Sequence, residues 1–365
     1  METRAAVAPS EEERQVRELA HEFAAGELRP HVEVWDRERA IPAAVVGQLA
    51  ELGFLGMAIP EEHGGMGFDA ATFAAAVEEL AWGEASVAML VVRHAAAADL
   101  ILRLGTEEQR ARWLPAMARG ETLAALAHWD TDDDAPATLE REGDALVLRG
   151  ELARVTRARS TGLIVARAQV PGGGAGAVLV PADAPGVRVR ESHTPLGLRP
   201  LEVVTAALED VRLGPEAELA GAGVDPGAGD IGRLGAAAVA AGVARAALEH
   251  AAGYADVRQQ FRRRIREFEG MQFKLADMAI RTTAAATLVR QAAAVPGARA
   301  SATAKVAASE AAMWVATQAV QVFGGYGYMR DYPVEKLMRD AKATEILGGL
   351  NQALRRLIAR ELYRA

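Results

Sequence analysis

The sequence predicts an α+β protein that runs helices, then strands, then helices, in regions spanning 1–120, 121–222 and 223–365. Three observations predict this order. Apolar residues recur at helical spacing through the first third. Short apolar or alternating runs, punctuated by glycine and proline, fill the middle. Long alanine-rich stretches of helical period make up the remainder.

The first helix opens at Ser10-Glu11-Glu12-Glu13, a capping-box pattern in which Glu13 can reach back to the Ser10 amide. Val16, Leu19, Ala20 and Phe23 then form one buried stripe. Similar patterns continue to about Arg119, interrupted by Pro60 and by the loop Gly64-Gly65-Met66-Gly67. From about Thr122 the texture changes to strands at 145–148, 162–166, 177–180 and 187–189, with Gly172-Gly173-Gly174 and Pro185-Gly186 as turns. Strands of this spacing suggest a small β-barrel or sandwich. Gly214 to Gly229 reads as a linker, and helices are expected over roughly 231–253, 267–294, 299–322 and 335–362. No phosphate-binding glycine loop of the dinucleotide or P-loop type is present, and no internal repeat.

Composition narrows the function. There are 41 basic and 49 acidic residues, a formal net charge of −8, which disfavours a general nucleic-acid binder. Cysteine is absent, so disulfides, thiolate catalysis and thiolate metal sites are excluded, in keeping with a reducing cytoplasm. Met1 to Arg14 holds four glutamates and no apolar core, unlike a signal peptide. The apolar run Leu234 to Ala244 is about half a membrane span. A cytoplasmic protein without a membrane partner is expected. Asp132-Asp133-Asp134 is read as an acidic loop, and no metal site is assigned.

One segment is more specific. Gln321-Val-Phe-Gly-Gly-Tyr-Gly-Tyr328, followed by Tyr332 to Lys342, resembles the C-terminal signature of the acyl-CoA dehydrogenase superfamily. Leu52-Gly-Phe-Leu-Gly56, Pro60-Glu-Glu-His-Gly-Gly65 and Arg258-Gln-Gln-Phe261 resemble further motifs of that family. The resemblance covers nearly the whole chain. It implies an N-terminal helical domain, a central β-barrel domain and a C-terminal four-helix bundle, with FAD between the last two and its adenine end reaching a neighbouring subunit. By position, Arg258 and Phe261 are expected on the pyrophosphate and adenine of a neighbour's FAD, where an arginine fork suits a diphosphate. Gln321, Gly325 and Gln352 are expected along the same cofactor, and Thr156 beside the reactive flavin nitrogen. A homodimer or tetramer sharing FAD sites follows. Taken singly, Arg258 and the run Arg262-Arg263-Arg264 would be a solvated face, Gly324-Gly325 a simple loop and Thr156 a plain strand residue.

The sequence also departs from this family. Relatives carry a glutamate, then glycine and threonine, where this chain has Gly348, Gly349 and Leu350. Other relatives place the glutamate beside an arginine on an earlier helix; the matching arginine is Arg233, a candidate substrate contact, and its neighbour is Gly232. Glycine has no titratable group, so the family's usual general base is missing at both places. Glu345 and His128 are the remaining candidates for proton transfer, each with a plain structural alternative. Arg154 replaces an aromatic residue beside the flavin and, with Arg157, is a candidate for a carboxylate or phosphate of the substrate.

The retained FAD motifs and missing base resemble those members that oxidise a glyceryl group tethered to an acyl carrier protein, making hydroxymalonyl- or methoxymalonyl-type polyketide extender units. The resemblance thus implies an FAD-dependent dehydrogenase of a hydroxyacyl thioester, with an acidic carrier protein meeting a basic surface such as 262–266. A flavin monooxygenase on the same fold, and a flavoprotein without catalysis, are the alternatives.

Overall fold

The computed structural model describes residues 8–131, 137–157, 161–171, 174–220 and 228–364. Helices α1 (Glu11–Phe23), α2 (Val32–Glu38), α3 (Ala43–Glu51), α4 (Ala70–Gly83), α5 (Ala85–Leu104) and α6 (Glu107–Ala118) form the N-terminal region. The Ser10 hydroxyl accepts from the Glu13 amide at 2.9 Å, so the expected cap starts α1. A full capping box starts α6, where Thr106 and Gln109 bond each other's backbone amides.

The centre is an eight-stranded mixed sheet of β1 (Leu123–Ala127), β2 (Ala137–Glu142), β3 (Ala145–Arg157), β4 (Thr161–Gln169), β5 (Ala175–Pro181), β6 (Val187–His193), β7 (Glu202–Leu213) and β8 (Glu218–Leu219). Its order is β6-β7-β3-β2-β4-β5-β8, with β1 parallel to β4. The β-domain is thus a mixed sheet, and among the described residues no pairing joins β6 to β8. Along β4 and β5 both faces are apolar: Ile164, Ala166, Val178 and Val180 enter one cluster, while Leu163, Val165, Ala177 and Leu179 enter another against α5 and α6. This is the two-residue alternation of a strand buried on both sides.

Helix α7 (Gly229–Val257), the hairpin β9 (Gln259–Gln260) and β10 (Arg263–Arg264), and helices α8 (Glu269–Ala294), α9 (Ala298–Phe323), α10 (Pro333–Thr344) and α11 (Asn351–Leu362) complete the chain. Two expectations need correction. The helix expected over 335–362 is two helices, because Gly348 and Gly349 take φ of +73° and +101° and turn the chain between them. The linker expected over 214–229 includes an ordered 3-10 turn, Pro215–Ala217, and β8, while 221–227 lies outside the described residues.

Helices α5 and α7 are long and apolar enough to cross a membrane, but their most apolar windows are 89% and 83% buried inside the protein. They are core helices. Helices α4 and α5 share one apolar core with α7 and α9. Helix α5 therefore lies between this helical core and the sheet, which places Arg93 and His94 where the two meet.

Candidate active site

Arg93 is 4% exposed in the middle of the mostly apolar helix α5. Its Nε donates to the Thr156 hydroxyl at 2.9 Å, Nη1 donates to both carboxylate oxygens of Asp130 at 2.8 Å, and Nη2 donates to the Leu126 carbonyl at 3.0 Å. One planar guanidinium thus joins α5, β1, the segment after β1 and the end of β3. Beside it, the Ala124 amide donates to His94 Nδ1 at 3.1 Å, leaving Nε2 to donate to the Met117 carbonyl at 3.2 Å. Burial holds the His94 pKa down to about 4, so it remains a neutral structural pin.

Asp130 continues the network into the C-terminal region. Its Oδ1 accepts from the Gly348 amide at 2.9 Å and the Gly349 amide at 3.3 Å, and its carbonyl accepts from the Leu350 amide at 2.7 Å. On the other side of this turn, buried Lys305 donates to the Gly349 carbonyl and, at 2.9 Å, to Asn351 Oδ1. Burial lowers the Lys305 pKa to about 7, against the opposing pull of Asp130, Glu345 and Glu310. A Cβ at Gly348 would stand 2.2 Å from the Ala236 Cβ and 3.0 Å from the Gly232 carbonyl. The turn therefore packs directly on α7, and a side chain at 348 requires the turn or the helix to move.

Thr156, Gly348 and the segment holding His128 are thus brought together, with Arg93 and Asp130 between them. His128 is partly buried with φ +65°. Glu345 caps α10 and pairs with Lys342, three residues before the turn. Arg233, expected at the substrate, is fully buried; its Nε donates to Ser301 Oγ at 2.9 Å and its Nη2 to Asp230 at 2.7 Å. In this place it fastens α7 to α9. Arg154 and Arg157 lie on β3, their side chains outside the described residues, as are Asp132–Asp134. No cluster of three metal-ligating side chains occurs among the described residues.

A second group lies at the end of α7. The Arg258 guanidinium sits 5.5 Å from the Tyr326 ring, so it adjoins the turn that carries Gly325. Gln321, Gly325 and Gln352 are exposed, and a Cβ at Gly325 would meet nothing within 4 Å. Phe261 stands at the tip of the β9–β10 hairpin, 88% exposed. Of the following arginines, Arg263 lies over Phe268 at 3.8 Å, and Arg264 and Arg266 pair with Asp256 at 2.8 and 2.9 Å.

Buried polar groups thus converge at the seam between a helical body and a mixed sheet. Residues 10–121 match the N-terminal domain, and residues 221–363 the C-terminal domain, of acyl-CoA dehydrogenase. A probable acyl-CoA dehydrogenase of Bacillus subtilis is 36% identical over 97% of this chain and 99% of its own length. The structure of butyryl-CoA dehydrogenase from Megasphaera elsdenii superposes with a TM-score of 0.93 at 30% identity, covering 99% of this chain and 100% of that one. A prolyl acyl carrier protein oxidase superposes at 0.89 with 25% identity, covering 98% and 100%. The chain belongs to the acyl-CoA dehydrogenase family. It is an FAD-dependent oxidoreductase that acts on acyl thioesters.

Arg93, Asp130 and Lys305 are the site residues that sequence reasoning missed. Arg93 and Lys305 each left a faint trace, a cation flanked by apolar and small residues in the middle of its helix. Asp130 lies between His128 and the acidic run 132–134, with no local pattern to mark it.

Proposed function

We propose that this enzyme oxidises a hydroxyacyl thioester of glyceryl type, tethered to an acyl carrier protein, in the making of hydroxymalonyl- or methoxymalonyl-type polyketide extender units. The observation behind this reading is the base position itself. Gly348 has no side chain, its turn is closed against α7, and Gly232 offers no carboxylate either. Ordinary αβ-desaturation needs a strong base beside the α-carbon, whereas alcohol oxidation needs only an acceptor for a hydroxyl proton. The polar residues Arg93, Asp130 and Thr156 beside this turn suit an oxygenated acyl group better than an alkyl chain, since Asp130 and Thr156 oxygens can exchange hydrogen bonds with a substrate hydroxyl. That a neighbour in fold is a prolyl acyl carrier protein oxidase supports a carrier-bound substrate.

The residues fit FAD. The Thr156 hydroxyl accepts from Arg93 and keeps its own proton to donate to the ring. Gly325 leaves open space for phosphate, and Arg258 is half-exposed beside it with its fork available for a diphosphate. Bound there, FAD supplies the acceptor for hydride. Phe261 would cover the adenine of the FAD of a second copy, making the active unit a homodimer or tetramer. Glu345, tied to Lys342, is assigned to the surface rather than to proton transfer.

Anaerobic titration of the FAD enzyme with glyceryl-carrier-protein, with butyryl-CoA as control, tests this. Bleaching of oxidised flavin by the glyceryl substrate alone is expected. Bleaching by butyryl-CoA instead would return the enzyme to the desaturases. No bleaching by either, together with oxygen-dependent hydroxylation once reduced flavin is supplied, would make it a monooxygenase.

A further inference from the structure

We propose that Asp130 is the proton acceptor that stands in for the missing glutamate, with Arg93 as its positioning residue. This rests on the reading of the substrate as a hydroxyacyl thioester. The base lost from 348 has a carboxylate beside its empty place: Asp130 Oδ1 lies 2.9 Å from the Gly348 amide. That carboxylate comes from the segment after β1, 218 residues away in sequence. It is held from two sides, by both bonds of Arg93 Nη1 and by the amides of Gly348 and Gly349. Each of these groups is a donor, so Asp130 accepts every one of these bonds. The same guanidinium holds Thr156, so the carboxylate is fixed relative to the place where the resemblance puts the reactive part of the flavin. The Asp130 side chain keeps 18% exposure, an edge through which a proton can leave to water.

The step balances. The hydride of the carbinol carbon passes to FAD as oxidant, the O–H bond breaks, and its proton goes to the Asp130 carboxylate. The C–O bond becomes C=O, and Asp130 then releases the proton to solvent. Asp130 Oδ2 accepts from Arg93 Nη1 and keeps a lone pair to which a substrate hydroxyl can donate. Arg93 keeps the geometry and pairs the charge.

The holoenzyme and Asp130→Asn are compared by anaerobic stopped-flow reduction with glyceryl-carrier-protein. Binding of glyceryl- and propionyl-carrier-protein to both proteins is measured in parallel by calorimetry. Loss of the acceptor should slow reduction by about a hundredfold or more, the usual weight of general base catalysis. Wild type should bind the glyceryl form more tightly than the propionyl form, and the variant should lose that preference. Reduction of the variant within about threefold of wild type, or an unchanged preference, overturns the proposal while leaving the proposed function standing. Wild type that is not reduced by the glyceryl thioester overturns both. Should Asp130→Asn lose its flavin, Asp130→Ala with added formate decides. Recovery of reduction by the small carboxylate supports an acceptor at 130, and no recovery marks a structural strut.

Discussion

At Gly348 backbone conformation and packing limit what a single position can carry. Its φ of +73° lies where side chains are strained, and the Ala236 methyl occupies the space any Cβ would need. A side chain at 348 therefore meets both an unfavourable backbone conformation and an occupied space. Gly348→Glu is expected to cost about 1–3 kcal/mol of stability, from positive φ and overpacking together. It is also expected not to create a desaturase of butyryl-CoA. Thermal melts and flavin bleaching check both parts, and a stable variant that bleaches with butyryl-CoA would show that the turn can yield. The glycine was legible in the sequence, because the surrounding signature fixes its position. The closure of its turn was not, because nothing local reports the distance to a helix more than a hundred residues earlier.

Among the elements, α9 carries the charge that holds this turn. Lys305 is fully buried, and its amine reaches across to Gly349 and Asn351, fixing the start of α11. Its pKa is lowered from the ordinary lysine value to about 7 by burial. Between those values the unfolded chain holds a proton that the folded chain lacks, so stability rises as pH rises from about 7 toward 10.5. Below that window both states are protonated and the burial penalty is present in full. Lys305→Met should abolish this part of the slope: the melting temperature of wild type minus that of the variant should increase between pH 7 and pH 10. Parallel melting curves across that range would sink the assignment. Alanine-rich periodicity showed that α9 exists and which face is apolar. It gave no means of telling a lysine reaching inward from one at the surface, since both fit the same helix. The break between α10 and α11 was missed for a related reason. The apolar spacing of Leu354, Leu357 and Ile358 continues that of the preceding helix closely enough to hide a two-glycine turn.

For the whole molecule, the exposed hairpin is the informative feature. Phe261 and Arg262 take φ of +52° and +67°, a conformation that presents an aromatic ring 88% exposed to solvent at the tip. Helix α8 adds Phe273 and Ile280 at 63% and 64% exposure. Exposed apolar surface of this kind is what the proposed sharing of FAD sites between copies requires. Arg258→Ala should weaken FAD about 10- to 100-fold, the weight of charge-assisted hydrogen bonds to phosphate. Flavin release on dilution measures this directly. Retention within about threefold of wild type would place the diphosphate elsewhere. The motif itself was legible as a string, whereas the exposure that gives it meaning required the fold.

By itself the sequence determined the order of helices, sheet and helices, the FAD motifs and the absence of the usual base. These are written in local periodicity and in contiguous signatures. The tertiary structure alone decided that Arg93, Asp130, Thr156 and Gly348 form one network and that Arg233 is buried between α7 and α9. Those facts depend on segments 37 to 218 residues apart meeting at the seam between helix and sheet. A buried charge declares its partner only when packing brings the two together, because hydrogen bonds act over about 3 Å of space and carry no record in sequence spacing.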